Sequence, residues 1–309
     1  MKRLGIAILL LSTMAMGQEV KNSNKIKIGI TQIMEHQALD LARVGFEKAL
    51  KENGYEEVQI DYQNAQGDFN TSQMIANSFV QNKKDLIYAI STPSAQSAYN
   101  ATKEIPILIT AVTDQKAAGL TGENITGTSD ATPISKQLET IIKILPKTKK
   151  IGIIYNTSEQ NSQVQVANAK EESKKLGLEI IEVGATNINE VAMGLDSLLE
   201  KVDVLYTPTD NLVVSATPLV LDKANKKNIP VIGCIEDQVV QGALITNTID
   251  YEKLGYQTGK IAIKVLEGEE AKNIPVETLK DTQIIVNKKM AEKYKVDLTT
   301  EALKGAKIY

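Results

Sequence analysis

The chain has 309 residues, with 35 lysines and arginines against 38 aspartates and glutamates, for a formal net charge of −3. No basic stripe gathers anywhere along it, which gives nucleic-acid binding no footing. A single cysteine, Cys234, and a single histidine, His36, exclude an internal disulfide and the multi-Cys or Cys/His metal sets.

Lys2 and Arg3 precede an apolar run from Leu4 to Met14, and Ala15-Met16-Gly17 offers small residues for cleavage, so residues 1–17 read as a signal peptide. The run is shorter than the roughly 20 residues that a membrane span needs, and no later stretch is long and apolar enough. Gln18, rather than a cysteine, follows Gly17. The expectation is an exported, extracytoplasmic, soluble protein without a lipid anchor. The rest of the chain is long enough for two domains.

From Lys25 onward, short apolar strands alternate with amphipathic helices. Strands are predicted over 27–30, 58–62, 86–90 and 105–111, with helices over 38–53, 71–81 and 95–102 between them. The stretch 121–127, TGENITG, is polar and glycine-rich and reads as a connection, followed by a helix over 134–145. The pattern then restarts: strands over 150–153, 178–183, 202–206 and 229–234, with helices over 162–176 and 191–201. Ile28 and Ile151, Asp85 and Asp203, and Pro106 and Pro230 lie 123, 118 and 124 residues apart. Generic α/β alternation explains the rhythm but not the shared prolines in IPILI and IPVIG, so the lobe is duplicated. A strand over 244–250, a helix over 251–266 and a strand over 283–286 complete the chain. The fold class is α/β, each lobe a parallel sheet flanked by helices.

Ligands of open α/β sheets sit outside the carboxyl ends of the strands, and the polar residues of this chain collect there. After the first strand come Gln32, Glu35 and His36. The third strand is followed by Thr92, Pro93 and Ser94, and the fourth by Thr113 and Asp114. Ser129 and Asp130 lie in the connection. In the second half come Asn156, Ser158 and Ser162, then Thr209, Asp210 and Asn211, then Glu236, with Asp250 after the return strand. Each could be a helix cap; their convergence on one face of two lobes argues for a site. Two stretches share one grammar, DLIYAISTPSAQS (85–97) and VDVLYTPTDNLVVS (202–215): a buried strand, then Thr-Pro, then a helix. Free N–H groups at Ser94 and Ala95 suit a carboxylate. The carboxylates Asp130 and Asp210 suit an ammonium, with Asp210 expected to clamp it. A ligand carrying both charges is an amino acid. Tyr88, Tyr155 and Tyr206 read as core, and Cys234 as a buried, inert thiol.

No dinucleotide, Walker, nucleophile-elbow or metal motif occurs, so neither a cofactor nor a metal is expected and the protein does not read as an enzyme. The stretches GITQIMEH (29–36), IDYQNAQGD (60–68), TPSAQ (92–96), TAVTD (110–114), NITGTSD (124–130), IGIIYNTSEQNSQVQ (151–165) and YTPTDN (206–211) resemble the extracytoplasmic solute-binding proteins of ABC transporters, in their aromatic amino acid (tryptophan-type) branch. The resemblance implies a type I periplasmic-binding-protein fold with hinge strands, and residues 25–128 with 249–272 forming one lobe and 129–248 with 276–309 the other. It implies a monomer that closes on an aromatic amino acid and delivers it to an ABC permease and its ATPase. A sugar or nucleoside receptor of the same fold and an extracellular carboxylate hydrolase remain as alternatives.

Overall fold

A computed structural model describes residues 25–279 and 281–309; the signal-peptide reading lies outside the described residues. In chain order the first half runs β1 (Lys27–Gln32), α1 (Gln37–Glu52), β2 (Gln59–Asn64), α2 (Phe69–Gln81), β3 (Leu86–Ile90), α3 (Thr92–Ala101), β4 (Ile107–Val112) and β5 (Ile125–Ser129). The second half runs α4 (Ile134–Ile144), β6 (Lys150–Asn156), α5 (Gln160–Lys175), β7 (Glu179–Ala185), α6 (Ile188–Leu198), β8 (Val204–Tyr206), α7 (Asn211–Ser215), α8 (Thr217–Lys226), β9 (Val231–Ile232), α9 (Glu236–Gln241) and β10 (Ile245–Thr248). Then follow α10 (Tyr251–Leu266), β11 (Glu277–Thr278), β12 (Gln283–Val286), α11 (Lys288–Tyr294) and β13 (Lys307–Ile308).

These strands form two sheets, in the orders β2-β1-β3-β4-β5-β11 and β7-β6-β8-β9-β10-β12-β13. Every pairing is parallel except β10 with β12. The duplication is visible in detail. Asp85 accepts from the Lys27 N–H at 2.7 Å, and Asp203 accepts from the Lys149 and Lys150 N–H groups at 2.8 Å, so one aspartate fixes the start of the first strand in each copy. Strands buried on both faces read as unbroken apolar runs, which is why β1, β3, β4 and β6 were legible. β2 and β7 lie at sheet edges and are largely solvent-exposed.

The short strands β11 and β13 were not expected, and β5 differs from expectation outright. TGENITG was read as a connection, yet β5 begins inside it and is buried along its whole length. Its polarity is satisfied internally: Thr128 Oγ1 lies 3.0 Å from Thr110 Oγ1 and 2.7 Å from Thr258 Oγ1, and Thr126 Oγ1 donates to the Ile274 carbonyl at 2.8 Å. Gly127 is required there. Its φ is 135°, and a Cβ would sit 2.1 Å from the Ile109 carbonyl oxygen. A threonine ladder sealed by hydroxyl hydrogen bonds looks like a loop in sequence and behaves as core.

The chain passes between sheets after β5, after β10 and between Thr278 and Gln283. The last passage is later than the 272/276 boundary of the sequence reading, because Glu277 and Thr278 pair with Thr128 and Ser129 at the edge of the first sheet. α10 returns from the second sheet to pack on α1 with backbone nearly touching backbone; a Cβ on Gly255 would lie 1.8 Å from the Ala42 carbonyl oxygen. Of the three tyrosines read as core, Tyr88 and Tyr206 are buried, and Tyr155 is partly buried against the second lobe's core. Tyr88 stacks on Phe46 with centroids 3.9 Å apart and donates to the Ala42 carbonyl, while buried Tyr206 donates to Gln137 Oε1 at 2.6 Å. Cys234 is buried, and burial pushes its thiol well above the usual range.

Candidate functional site

The carboxyl ends of both sheets face one cleft, and the lobes meet across it. Val214, Cys234 and Ile235, from the second half, pack into the first lobe's apolar core. His36 Nε2 lies 3.3 Å from Asn211 Oδ1, and Thr113 Oγ1 lies 3.4 Å from both Thr209 Oγ1 and Gln165 Nε2. The interlobe cavity has a volume of about 20 Å³ and is lined by His36, Asp130, Asn161, Asp210, Asn211 and Tyr251, among others. Beside it, a second cavity of about 140 Å³ runs along Thr113, Asp114, Asp130, Gln165 and Thr209.

The mouth after β3 carries hydrogen-bonding capacity that the protein does not use. Thr92 and Ser94 are 1% and 0% exposed, and neither hydroxyl has a partner; nor do the buried Ser91 hydroxyl and Gln32 Oε1. An unpaired buried polar group costs about 1–3 kcal/mol, so four close together need a reason. The backbone is strained at the same place. Ser91, which precedes α3, has φ 84° and ψ 160°, a region that essentially only glycine occupies, and Ala111 at the end of β4 has φ 52°. β3 lies between β1 and β4 in the sheet, so this mouth opens between His36 and Thr113. Thr92, expected as a cap, is the first residue of α3 instead, with Ser91 before it.

The equivalent mouth after β8 is spent on itself. Helix α7 starts three residues beyond the proline, and Asp210 is its cap, accepting from the Val213 N–H at 2.8 Å. The other carboxylate oxygen accepts from the Asn156 N–H at 2.5 Å and the Ser162 hydroxyl at 2.6 Å. Asp210 is 0% exposed. Burial and the neighbouring Glu159 carboxylate push its carboxyl up to about 7. A group this fully bonded braces β6, α5 and α7 to one another and is a poor ammonium clamp, which corrects the expected role of Asp210.

Asp130 is placed differently. It is 5% exposed, lines both cavities and accepts from two side-chain hydroxyls, Thr113 at 3.1 Å and Tyr251 at 3.0 Å. Burial raises its carboxyl above the ordinary range, and among the described residues no lysine or arginine acts on it. Ser129 supports the turn, donating to the Thr113 carbonyl and accepting from the Ala131 N–H.

His36, Thr92, Ser94, Thr113, Asp130, Asn156, Ser162, Thr209, Asp210 and Asn211 thus gather at or directly behind the cleft, with Pro93 buried in the first turn of α3. Others do not. Glu35 and Ser158 are exposed, and Asp114 is exposed at the rim, capping a turn through the Ala117 N–H. Glu236 and Asp250 line a separate cavity of about 580 Å³ near the passages between sheets. There Glu236 pairs with Lys307 at 2.6 Å and Asp250 caps α10. Their neighbours Ile235 and Tyr251 line the cleft instead, a difference of one residue that strand-end counting does not resolve. Glu159, Asn161, Gln165 and Tyr251 were missed. Glu159 immediately precedes, and Asn161 and Gln165 lie on the first turns of, a helix whose start at Gln160 is two residues earlier than expected.

A family model described as ABC transporter substrate binding protein matches residues 27–308. The chain belongs to this family. It is 50% identical over 300 residues to a protein named tyrosine-binding protein from Clostridioides difficile (strain R20291), covering 92% of this chain and 87% of that one. Among solved structures, an ABC domain in complex with L-Trp from Streptococcus pneumonia superposes with a TM-score of 0.89 at 33% identity, covering 92% of this chain and 99% of that one. The ligand-free, open structure of a substrate binding protein with adhesive properties from Clostridium difficile reaches only 0.69 at 49% identity, over the same shares of the two chains. In this chain, by contrast with that open structure, His36 and Thr113 of the first lobe meet Asn211 and Thr209 of the second. The family consists of solute-binding receptors that serve transporters. Among the described residues no helix is long and apolar enough to cross a membrane.

Proposed function

We propose that this receptor captures one aromatic amino acid, tyrosine or tryptophan, between its lobes and presents it to an ABC permease and its ATPase outside the cytoplasm, as an exported monomer that leaves the ligand chemically intact. The observation that carries the ligand class is the charge design of the cleft. A helix N-terminus with partnerless Thr92 and Ser94 hydroxyls suits a carboxylate. A buried carboxylate, Asp130, held by neutral donors such as the Thr113 and Tyr251 hydroxyls suits an ammonium. The tyrosine-binding name of one relative and the L-Trp held by another support the aromatic side chain.

The mechanism follows from placing these groups on separate elements. A cavity of about 20 Å³ is smaller than an aromatic amino acid, so the lobes must separate to admit one and then close around it less tightly than they meet here. The first lobe's mouth after β3 holds the carboxylate, while Asp130, on the passage from β5 to α4, stands beside the second lobe's wall. Contacts to both lobes make the ligand bind the closed arrangement better than the open one, the condition for a ligand to drive closure. Thermal-shift titration of the mature protein against all amino acids, sugars and nucleosides tests the reading, since a ligand of the folded state raises the midpoint with RT ln(1 + [L]/Kd). Tyrosine or tryptophan should give the largest shift; a shift by sugars or nucleosides with aromatic amino acids inert would overturn it.

A further inference from the structure

Glu159 is 2% exposed and stands directly behind the second lobe's wall. Its Oε1 accepts from Asn156 Nδ2 at 3.1 Å and the Leu212 N–H at 3.3 Å. Its Oε2 accepts from Asn161 Nδ2 and the Asn211 N–H, both at 3.2 Å, and from Asn211 Nδ2 at 2.5 Å. Every partner is a neutral N–H donor.

A carboxylate only accepts hydrogen bonds, whereas an asparagine amide has one donating and one accepting end. Each asparagine that touches Glu159 must therefore turn its NH2 inward and its oxygen away. For Asn156 the oxygen is used locally, by the Ser158 N–H at 3.0 Å. The other two oxygens go toward the cleft. Asn211 Oδ1 meets His36 Nε2, and Asn161 Oδ1 is buried with no partner in the protein. Both residues line the same cavity as Asp130. For Asn161 the orientation is reinforced by a second acceptor, the Thr209 carbonyl at 2.8 Å from Nδ2; for Asn211 Glu159 holds the nitrogen and His36 meets the oxygen.

We infer that Glu159 is a positioning residue for ligand selection: by holding the amide nitrogens of Asn161 and Asn211, it makes the second lobe present oxygens to the cleft, an acceptor surface that selects the ammonium of an amino acid. The inference rests on the amino-acid reading above and adds the residue that decides which face of each amide the ligand meets. A glutamine at this position keeps the shape but can donate as well as accept, so the amides are no longer forced to one orientation.

The test is calorimetric titration of wild type, Glu159→Gln and Asn211→Leu with L-tyrosine and with 3-(4-hydroxyphenyl)propanoate, which lacks only the amino group. Wild type should prefer L-tyrosine strongly. Glu159→Gln should lose at least about tenfold on L-tyrosine and less than about twofold on the deamino acid, the size expected for charged hydrogen bonds at an interface. Asn211→Leu should collapse the same ratio, and it carries the test if Glu159→Gln does not fold. A structural role alone would weaken both ligands together, and an unchanged ratio in variants that still bind overturns the inference while leaving the amino-acid reading in place. Failure of wild type to bind either L-tyrosine or L-tryptophan, or to prefer the one it binds over its deamino acid, overturns both.

Discussion

The mouths after β3 and after β8 descend from one duplicated motif, yet they have opposite economies. At the second, every oxygen of Asp210 is occupied by β6, α5 and α7 of its own lobe. At the first, the Ser91, Thr92 and Ser94 hydroxyls are buried without partners beside a strained backbone. One copy converts its polar residues into rigidity. The other keeps them unspent, at a cost in stability, for something that arrives from outside. Duplication supplied two equivalent positions, and only one needs to be firm for the other to be selective.

The comparison breaks most visibly at Asp210. Asp210→Ala should remove about 3 kcal/mol of stability, the upper end of the scale for leaving buried hydrogen-bond donors unpaired. At roughly 2–4 °C per kcal/mol for a chain of this size, the melting midpoint should fall by about 6–12 °C in differential scanning calorimetry. A variant that melts like wild type would show that this mouth is not a brace. Asp130→Asn should behave in the opposite sense. Its midpoint should stay within a few degrees, while amino-acid affinity falls by about 2 kcal/mol, roughly 30-fold, as a buried charge partner is lost. Normal affinity by calorimetric titration would remove Asp130 from the ammonium site.

His36 connects the two mouths and gives the comparison a pH dependence. Asn211 turns its oxygen to His36, so Nε2 carries the proton, and Nδ1 is buried without a partner. Burial lowers the imidazole below its ordinary 6.5, against the opposing pull of Asp40 on α1 and Asp237 on α9. The open or unfolded protein therefore binds the extra proton more readily than the closed one, and closure weakens as pH falls below 6.5. Affinity should drop by up to about tenfold between pH 7.5 and 5.5, the most that a site of ordinary pKa in the open state can yield. His36→Gln should flatten the profile, and an equally steep profile in that variant would assign the effect elsewhere. The smallest change is Ser94→Ala. Losing a partnerless hydroxyl should leave the melting midpoint unchanged or slightly higher, while affinity falls about fivefold, the net worth of one hydrogen bond near 1 kcal/mol.

The sequence and the structure part company along physical lines. Parallel strands buried on both faces announce themselves as apolar runs, so the two-lobed α/β frame was legible; β5, where threonines bonded to threonines imitate a loop, and the short elements α8, α9, β11 and β13 were not. Site residues were legible as a neighbourhood, because strand ends are countable. Their roles were not. Asp210 and Asp130 have the same side chain at similar strand ends, and only the donors around them distinguish a brace from a binding group. Glu159 carries no periodic or turn signal at all; its importance lies in three amides, drawn from two segments of chain, that all point at it.

The central claim is that one lobe's unspent mouth takes a carboxylate while Asp130 and its neighbours take an ammonium. Calorimetric titration of the wild-type receptor with L-tyrosine, tyramine and 3-(4-hydroxyphenyl)propanoate tests it most directly. The account predicts tight binding of L-tyrosine and a loss of about 2 kcal/mol or more for each analogue, because each lacks one of the two charges. Tyramine or the propanoate binding as tightly as L-tyrosine would contradict it.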